Sequence, residues 1–247
     1  PKSPEPDVLN YSWRDYGNRV GVWRCLELFE SLHLPVGALI NTALYDYCPE
    51  VIEAFVRRGD ELVGHGHTNS ERQSDMDEAT EAEMIAHATK TLADSCGRRP
   101  YGWMGPWISE TAVTPDLLQE NGYTFVMDWP ADDQPFWMKT RKGRIMSVPY
   151  PIEINDTPTM LSRAQPATDF SRMILDQFEE MLRLSQKQSL VFGVSMHTFC
   201  TGQPFRLMQV RQALEALAKH PGFRNVWVTT PGQIAEYAEK LPAECVI

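Results

Sequence analysis

Apolar residues recur along this 247-residue chain in two rhythms, one helical and one strand-like. Val22, Leu26 and Phe29 fall at helical spacing behind Asn18, and predict a capped helix running to about Leu32. A compact apolar run predicts a strand over 36–40, and Pro49 then opens a helix with Val51, Ile52 and Phe55 that Gly59 stops. Residues 61–65 predict the next strand. A helix follows over 77–95 with Gly97 as its C-cap, its Glu-rich start at 77–83 reading as a solvated face. The stretch 101–107 reads as a strand opening into a loop. Thr114-Pro115 begins a short helix that ends at Gly122, and strands are predicted over 123–129 and 145–150. Thr168 or Asp169 caps a long helix to about Leu184. A strong strand over 190–196 ends at His197, and a helix over 205–219, a strand over 226–230 and a last helix over 231–241 complete the order. Residues 1–8 are Pro-rich and charged, and 10–17 are aromatic and polar without a period. Together they predict an extended N-terminal arm of about 17 residues ending in a loop. Residues 132–135 and 151–160 read as irregular.

Helices alternating with about seven strands are the pattern of a parallel α/β sheet, and this count favours closure into a (β/α) barrel. No linker or repeat divides the chain, so 1–247 reads as a single domain. Its 43% hydrophobic content is enough for a sizeable core, while the net charge of −10 and the lack of a basic patch argue against nucleic acid or an anionic membrane as partner. No apolar run is long enough to span a bilayer. No signal-peptide pattern is visible, although a piece preceding Pro1 stays open. Five cysteines without CxxC spacing predict reduced thiols in a cytoplasmic compartment. Cys200, close to His197, reads as a nucleophile or, more simply, as a small loop residue.

In a barrel of this kind the polar residues at strand C-termini gather on one face. Here they are His65 and His67, then Trp103, Pro106 and Trp107, then Asp128, Asp132 and Asp133, then Glu153, Asn155 and Asp156, and finally His197. The densest stretch is 64–73, where an apolar run ends in Gly64-His65-Gly66-His67 and continues Thr68, Asn69, Ser70, Glu71, Arg72, Gln73. Two histidines with several carboxylates suit proton transfer or metal-assisted hydrolysis of a small-molecule substrate. Each also has a plainer reading. A histidine after an apolar strand often bonds a backbone carbonyl, paired aspartates before Pro135 make a turn, and Trp103 and Trp107 can be core.

GHGHTN, RRPYGWMGPW, VMDWPADDQPFW, VFGVSMHTFCTGQP and NVWVTTPGQIAEY resemble, in order, the motifs of the polysaccharide deacetylase superfamily, carbohydrate esterase family 4 with its NodB-homology domain. DYGNRVGVWR, ADDQPFW and the final GQP are most similar to its metal-independent allantoinases and related peptidoglycan-deacetylase-like proteins. The resemblance implies a distorted (β/α) barrel, a hydrolase of non-peptide C–N bonds, and a homo-oligomer, dimer or tetramer. Metal-dependent members bind zinc through His-x-x-x-His and a first-strand Asp. Here His65 keeps the first position, Asn69 occupies the second, and no first strand ending in a carboxylate is evident, so it either precedes Pro1 or is lacking. The expected reaction therefore uses no cofactor. Zinc at a site including His65 is the alternative, because His65 and His67 would share one face of an extended strand. The resemblance gives His197 the general-acid role. His65 orients the water or the substrate carbonyl, Asp133 and Glu153 are the carboxylate candidates, and His67, Asn69, Trp103, Pro106, Trp107 and Asp128 bind substrate. A zinc-dependent N-deacetylase of an amino sugar or peptidoglycan and a non-catalytic carbohydrate-binding barrel remain the competing functions.

Overall fold

The computed structural model describes residues 5–242, 245 and 246. Its chain forms two compact units, one joining the chain up to Leu34 with Pro151–Trp227, the other joining Pro35–Tyr150 with the chain from Val228 onward.

The second unit holds a six-stranded sheet: β1 (Gly37–Ile40), β2 (Glu61–Gly64), β3 (Gly102–Trp103), β4 (Phe125–Val126), β5 (Phe136–Thr140) and β6 (Gly143–Ser147), in the order β1-β2-β3-β4-β6-β5. All neighbours are parallel except β5, which pairs antiparallel with β6. The register is what matters for function. Ile40 pairs with Gly64, Gly64 with Trp103, Trp103 with Val126, and Val126 with Ser147. Five strands thus finish level with one another, and the segments after them emerge along one edge, where open α/β sheets carry their ligands.

Helices Pro49–Arg58, Glu78–Cys96 and Thr114–Glu120 return the chain between the first four strands. Local chemistry fixes their ends. Pro49 starts the first, Asp77 caps the second by accepting from the Thr80 N–H at 2.8 Å, and Gly59 and Gly97 end them in left-handed conformations. Val63, Phe125, Met146 and Val148 pack with Ala235 and Ala238 of helix Pro231–Glu239, while Ile85, Ala88, Trp103, Leu118 and Ile145 form a second buried cluster. The hairpin strand β5 is absent from the sequence-based expectation. As an edge strand it is only partly buried, and the Arg144 guanidinium lies 3.7 Å from the centre of the Trp137 ring, so no clean apolar alternation marks it.

The first unit is mostly helical. Residues 10–17, expected as the end of an extended arm, lie instead in helix Val8–Tyr16, which a π-helical turn, Gly17–Gly21, joins to helix Val22–Ser31. Asp7, not Asn18, is the cap, accepting from the Asn10 N–H at 3.0 Å. Gly17 and Gly21 serve packing. A Cβ on Gly21 would meet the Thr198 carbonyl oxygen at 2.0 Å, and one on Gly17 would meet the Phe199 nitrogen at 2.8 Å. Short helix Thr198–Thr201 thereby lies backbone-to-backbone on the π turn. Helices Ala167–Leu184 and Pro204–Lys219 pack against each other beside it. Of the seven expected strands, 190–196 and 226–230 form none among the described residues. The former keeps a single parallel bridge, Asn155 with Ser195. Both have strand-like composition, but a strand exists only where a neighbour accepts its ladder.

Two glycines let the sheet close on aromatic rings. A Cβ on Gly64 would come 2.6 Å from the Trp103 ring, and one on Gly102 would come 1.9 Å from Phe125. Gly102→Ala is therefore expected to destabilise the protein by about 1–3 kcal/mol, read as a lowered midpoint in urea denaturation. An unchanged midpoint would show that Phe125 can yield.

Candidate functional site

Each unit places one histidine-centred cluster. In the sheet unit His65 follows directly on β2 and continues its ladder, its N–H donating to the Ile40 carbonyl at 3.1 Å. The ring is buried, and Nδ1 lies 2.6 Å from the Met104 carbonyl oxygen. A carbonyl only accepts, so Nδ1 carries a proton, the Nδ1–H tautomer when the ring is neutral. Gly66 then takes φ +65, which breaks the extended run. His67 consequently does not continue the strand alternation with His65. Its Nδ1 pairs with Thr42 Oγ1 at 2.9 Å, and its ring stands edge-on to His87.

Pro106 is buried against Gly66, whose added Cβ would approach it to 3.1 Å. Trp107 next to it is 62% exposed at φ +66, a left-handed conformation that a bulky residue rarely adopts. Its indole N–H donates to the Asn69 carbonyl at 2.7 Å, and the Arg72 guanidinium stacks 4.7 Å from its ring centre. Asn69 is thus tied in through its backbone. Trp103, expected to bind substrate, belongs to the core. It is 0% exposed, packs edge-on against Tyr123, and donates its indole N–H to Gln73 Oε1 at 2.9 Å. The Gln73 amide donates in turn to Glu81 at 2.8 Å. Glu81 also accepts from Thr111 and Thr114, so the expected solvated face contains a fully buried carboxylate. One acidic position in a charged run carries no sequence mark of this burial.

Asp128 is buried too, and so cannot act as an open substrate contact. Its two oxygens lie 2.8 and 3.0 Å from the Gly105 N–H. Burial, and then the neighbouring Glu110 charge, push its pKa well above the ordinary carboxylate value. Burial also raises Glu110, whose Oε2 accepts from the Trp129 indole at 2.9 Å and whose carboxyl neighbours that of Asp128. Asp133 stands exposed in the loop after Trp129, where Asp132 accepts from the Gln134 N–H in a local turn. Neither aspartate touches the histidine cluster through any hydrogen bond among the described residues.

In the helical unit the centre is His197, with Asp156 rather than Glu153 as its carboxylate. Asp156 is completely buried and accepts four donors: His197 Nδ1 at 2.7 Å, the His197 backbone N–H at 2.8 Å, the Thr201 hydroxyl at 2.5 Å, and the Thr157 hydroxyl at 3.3 Å. The Asn155–Ser195 bridge delivers it there, with the Asp156 N–H donating to the Ser195 carbonyl at 3.2 Å. The Nδ1 proton thus faces Asp156, and Nε2 of a ring one-third exposed is the basic nitrogen. Glu153 points to solvent and pairs with Arg163 at 2.8 Å, which lowers its pKa. Glu153 and Asp156 share one irregular stretch, and only burial separates them. Phe199 packs edge-on to His197 at 5.9 Å, and the Arg14 guanidinium covers its ring at 3.9 Å. Cys200 is buried, and burial pushes its thiol pKa up to about 12, so the plainer reading of that residue fits.

Among the described residues no three His, Cys, Asp or Glu side chains gather closely enough to hold a metal ion. His65 Nδ1 and His67 Nδ1 are each hydrogen-bonded to a separate protein group on either side of a left-handed glycine.

Comparison with known proteins supplies the context. A Helicobacter pylori peptidoglycan deacetylase is 24% identical over 246 residues, covering 87% of this chain and 82% of that protein. A solved structure of a probable polysaccharide deacetylase from Pseudomonas aeruginosa PAO1 superposes with a TM-score of 0.83 at 26% identity, over 94% of this chain and 77% of the other. A PuuE allantoinase structure gives 0.81 at 28% identity, over 92% of this chain and 74% of the other. No protein-family model matches the chain.

Asp128 makes stability pH-dependent in a definite direction. Folding raises its pKa above 3.8, so its protonated form stabilises the fold fully below that value, and the contribution is lost as pH rises through the raised value. Asp128→Asn cannot ionise. Urea midpoints measured from about pH 4 to about pH 8 should show the wild type losing ground to the variant as pH increases. Parallel curves would contradict the assignment.

Proposed function

The chain belongs to the polysaccharide deacetylase superfamily (carbohydrate esterase family 4, NodB-homology fold), and from that premise we propose that it hydrolyses the C–N bond of a small N-acetyl, amide or cyclic-ureide compound. In class it is a hydrolase of carbon–nitrogen bonds other than peptide bonds. The observation that carries the reading is the His197–Asp156 dyad. A fully buried carboxylate with four donors holds one imidazole with its Nδ1 proton inward and Nε2 outward.

Hydrolysis of such a bond adds water to the carbonyl and expels nitrogen, a poor leaving group unless protonated. His197 meets that need. Its Nε2 takes the proton as water attacks and hands it to the departing nitrogen, while Asp156 stabilises the intervening imidazolium. Independently of the dyad, His65 in the sheet unit is a second catalytic candidate, its tautomer set by the Met104 carbonyl. Trp107, an exposed indole fixed by Asn69 and Arg72, supplies a flat apolar surface for a substrate ring. No step is routed through a metal, in keeping with the donor geometry around His65.

The peptidoglycan deacetylase and the allantoinase among its relatives favour different substrates within this class. A panel of allantoin, hydantoins, cyclic imides and N-acetylglucosamine oligomers separates them. On whichever compound is turned over, His197→Ala should lower kcat by about 100-fold or more, and Asp156→Asn should also lower it by weakening the hold on the tautomer. Full activity in His197→Ala would remove the dyad from the mechanism. Metal analysis of the purified protein is the companion measurement, and stoichiometric zinc lost in His65→Ala would overturn the metal-free reading.

A further inference from the structure

The peptide joining Met104 to Gly105 is gripped on both sides. Its carbonyl takes the His65 Nδ1 proton at 2.6 Å, and its N–H is directed at Asp128, whose oxygens lie 2.8 and 3.0 Å away. A peptide is a rigid plane, so fixing its N–H fixes the direction of its carbonyl. We propose that Asp128 is a positioning residue for His65, acting through this single peptide group to hold the imidazole in its Nδ1–H tautomer and orientation.

The surroundings leave that plane nowhere to turn. A Cβ on Gly105 would meet Gln73 Oε1 and the Ser109 carbonyl at 2.6 Å each, and Asp128 Oδ2 at 3.3 Å. Only glycine lets the peptide sink between these groups, and Gln73 is itself pinned by Trp103 and Glu81. Packing fixes where the plane sits, and Asp128 fixes which way its dipole points. A carboxyl oxygen accepting from the N–H also polarises the amide, making the carbonyl a stronger acceptor for His65. The site therefore reaches the tautomer control that histidine sites usually obtain from a direct carboxylate contact, and reaches it indirectly. His197 uses the direct form, with Asp156 on its own Nδ1.

This inference rests on the reading that gives His65 a catalytic task, and its test has an independent readout. Isotope-labelled histidine gives long-range proton–nitrogen spectra that distinguish the two neutral tautomers, and His65→Gln assigns the His65 signals by their loss. The wild type should show His65 protonated at Nδ1. Asp128→Ala should shift those signals toward a mixture of tautomers and lower kcat about 10-fold or more with KM little changed. Asp128→Asn should restore both, because its amide oxygen accepts from Gly105 while its NH2 faces Glu110 as a protonated Asp128 would.

If Asp128→Ala does not fold, Asp128→Leu at low temperature and Gly105→Ala provide the same comparison, the latter displacing the peptide while leaving the carboxyl in place. Unchanged His65 signals in any folded variant lacking the Asp128 carboxyl would overturn the proposal, as would an Asp128→Asn protein that behaves like Asp128→Ala. Shifted His65 signals in a protein that hydrolyses nothing on the panel would keep the positioning role and remove the hydrolase reading instead.

Discussion

Backbone hydrogen bonding sets the level at which the five parallel strands of the sheet stop, and the placing of the His65 cluster depends on it. Because Ile40, Gly64, Trp103, Val126 and Ser147 lie in one parallel register, the residues after each strand leave the ladder together. His65, Met104, Gly105 and Asp128 are neighbours for that reason alone. None is close to the next strand's contribution in sequence, and a slip in any pairing would separate the Met104 carbonyl from His65. Gly64 and Gly102 protect the register, since each occupies a place where a side chain would push an aromatic ring of the adjacent strand away.

Buried carboxylates are the second organising theme, and the chain handles three of them differently. Asp156 accepts four donors, two of them from His197. Glu81 is surrounded by an amide and two hydroxyls, and links Gln73 to the segment carrying Thr111 and Thr114. Asp128 has one backbone donor and a carboxyl neighbour, a combination that favours keeping a proton. A buried acid with a full donor set is a fixed strut, whereas one beside another acid stores a proton.

Much of the α/β order was legible in the sequence. Pro49, Gly59, Asp77 and Gly97 mark helix ends by their own backbone preferences, so local chemistry suffices to place them. The strands beginning near residues 36, 61, 101, 123 and 145 follow from apolar runs. Legibility fails where tertiary contact overrides local preference. Residues 10–17 lack a helical period yet run into a continuous helical stretch, where Gly17 and Gly21 leave room for the backbone at Thr198 and Phe199. The stretches 190–196 and 226–230 have strand composition but lack a laddered neighbour. For the site, His65 and His197 announce themselves beside glycines and hydroxyls. The choice of Asp156 over Glu153, and the burial of Glu81, Asp128 and Trp103, depend on distances that no residue encodes singly.

The glycine crossing also bears on how the chain is made. Arg24 donates to the Gly202 carbonyl 178 positions away, and Gly21 lies against Thr198 over a similar span. During synthesis the N-terminal helix must therefore wait, its grooved glycine face bare to water, until nearly the whole chain has emerged. Contacts of such sequence separation close late and slowly. The dyad histidine sits at the start of the segment that closes them, so His197 is seated on Asp156 only as the helical unit completes. A nascent chain interrupted before that point lacks the seated His197–Asp156 pair.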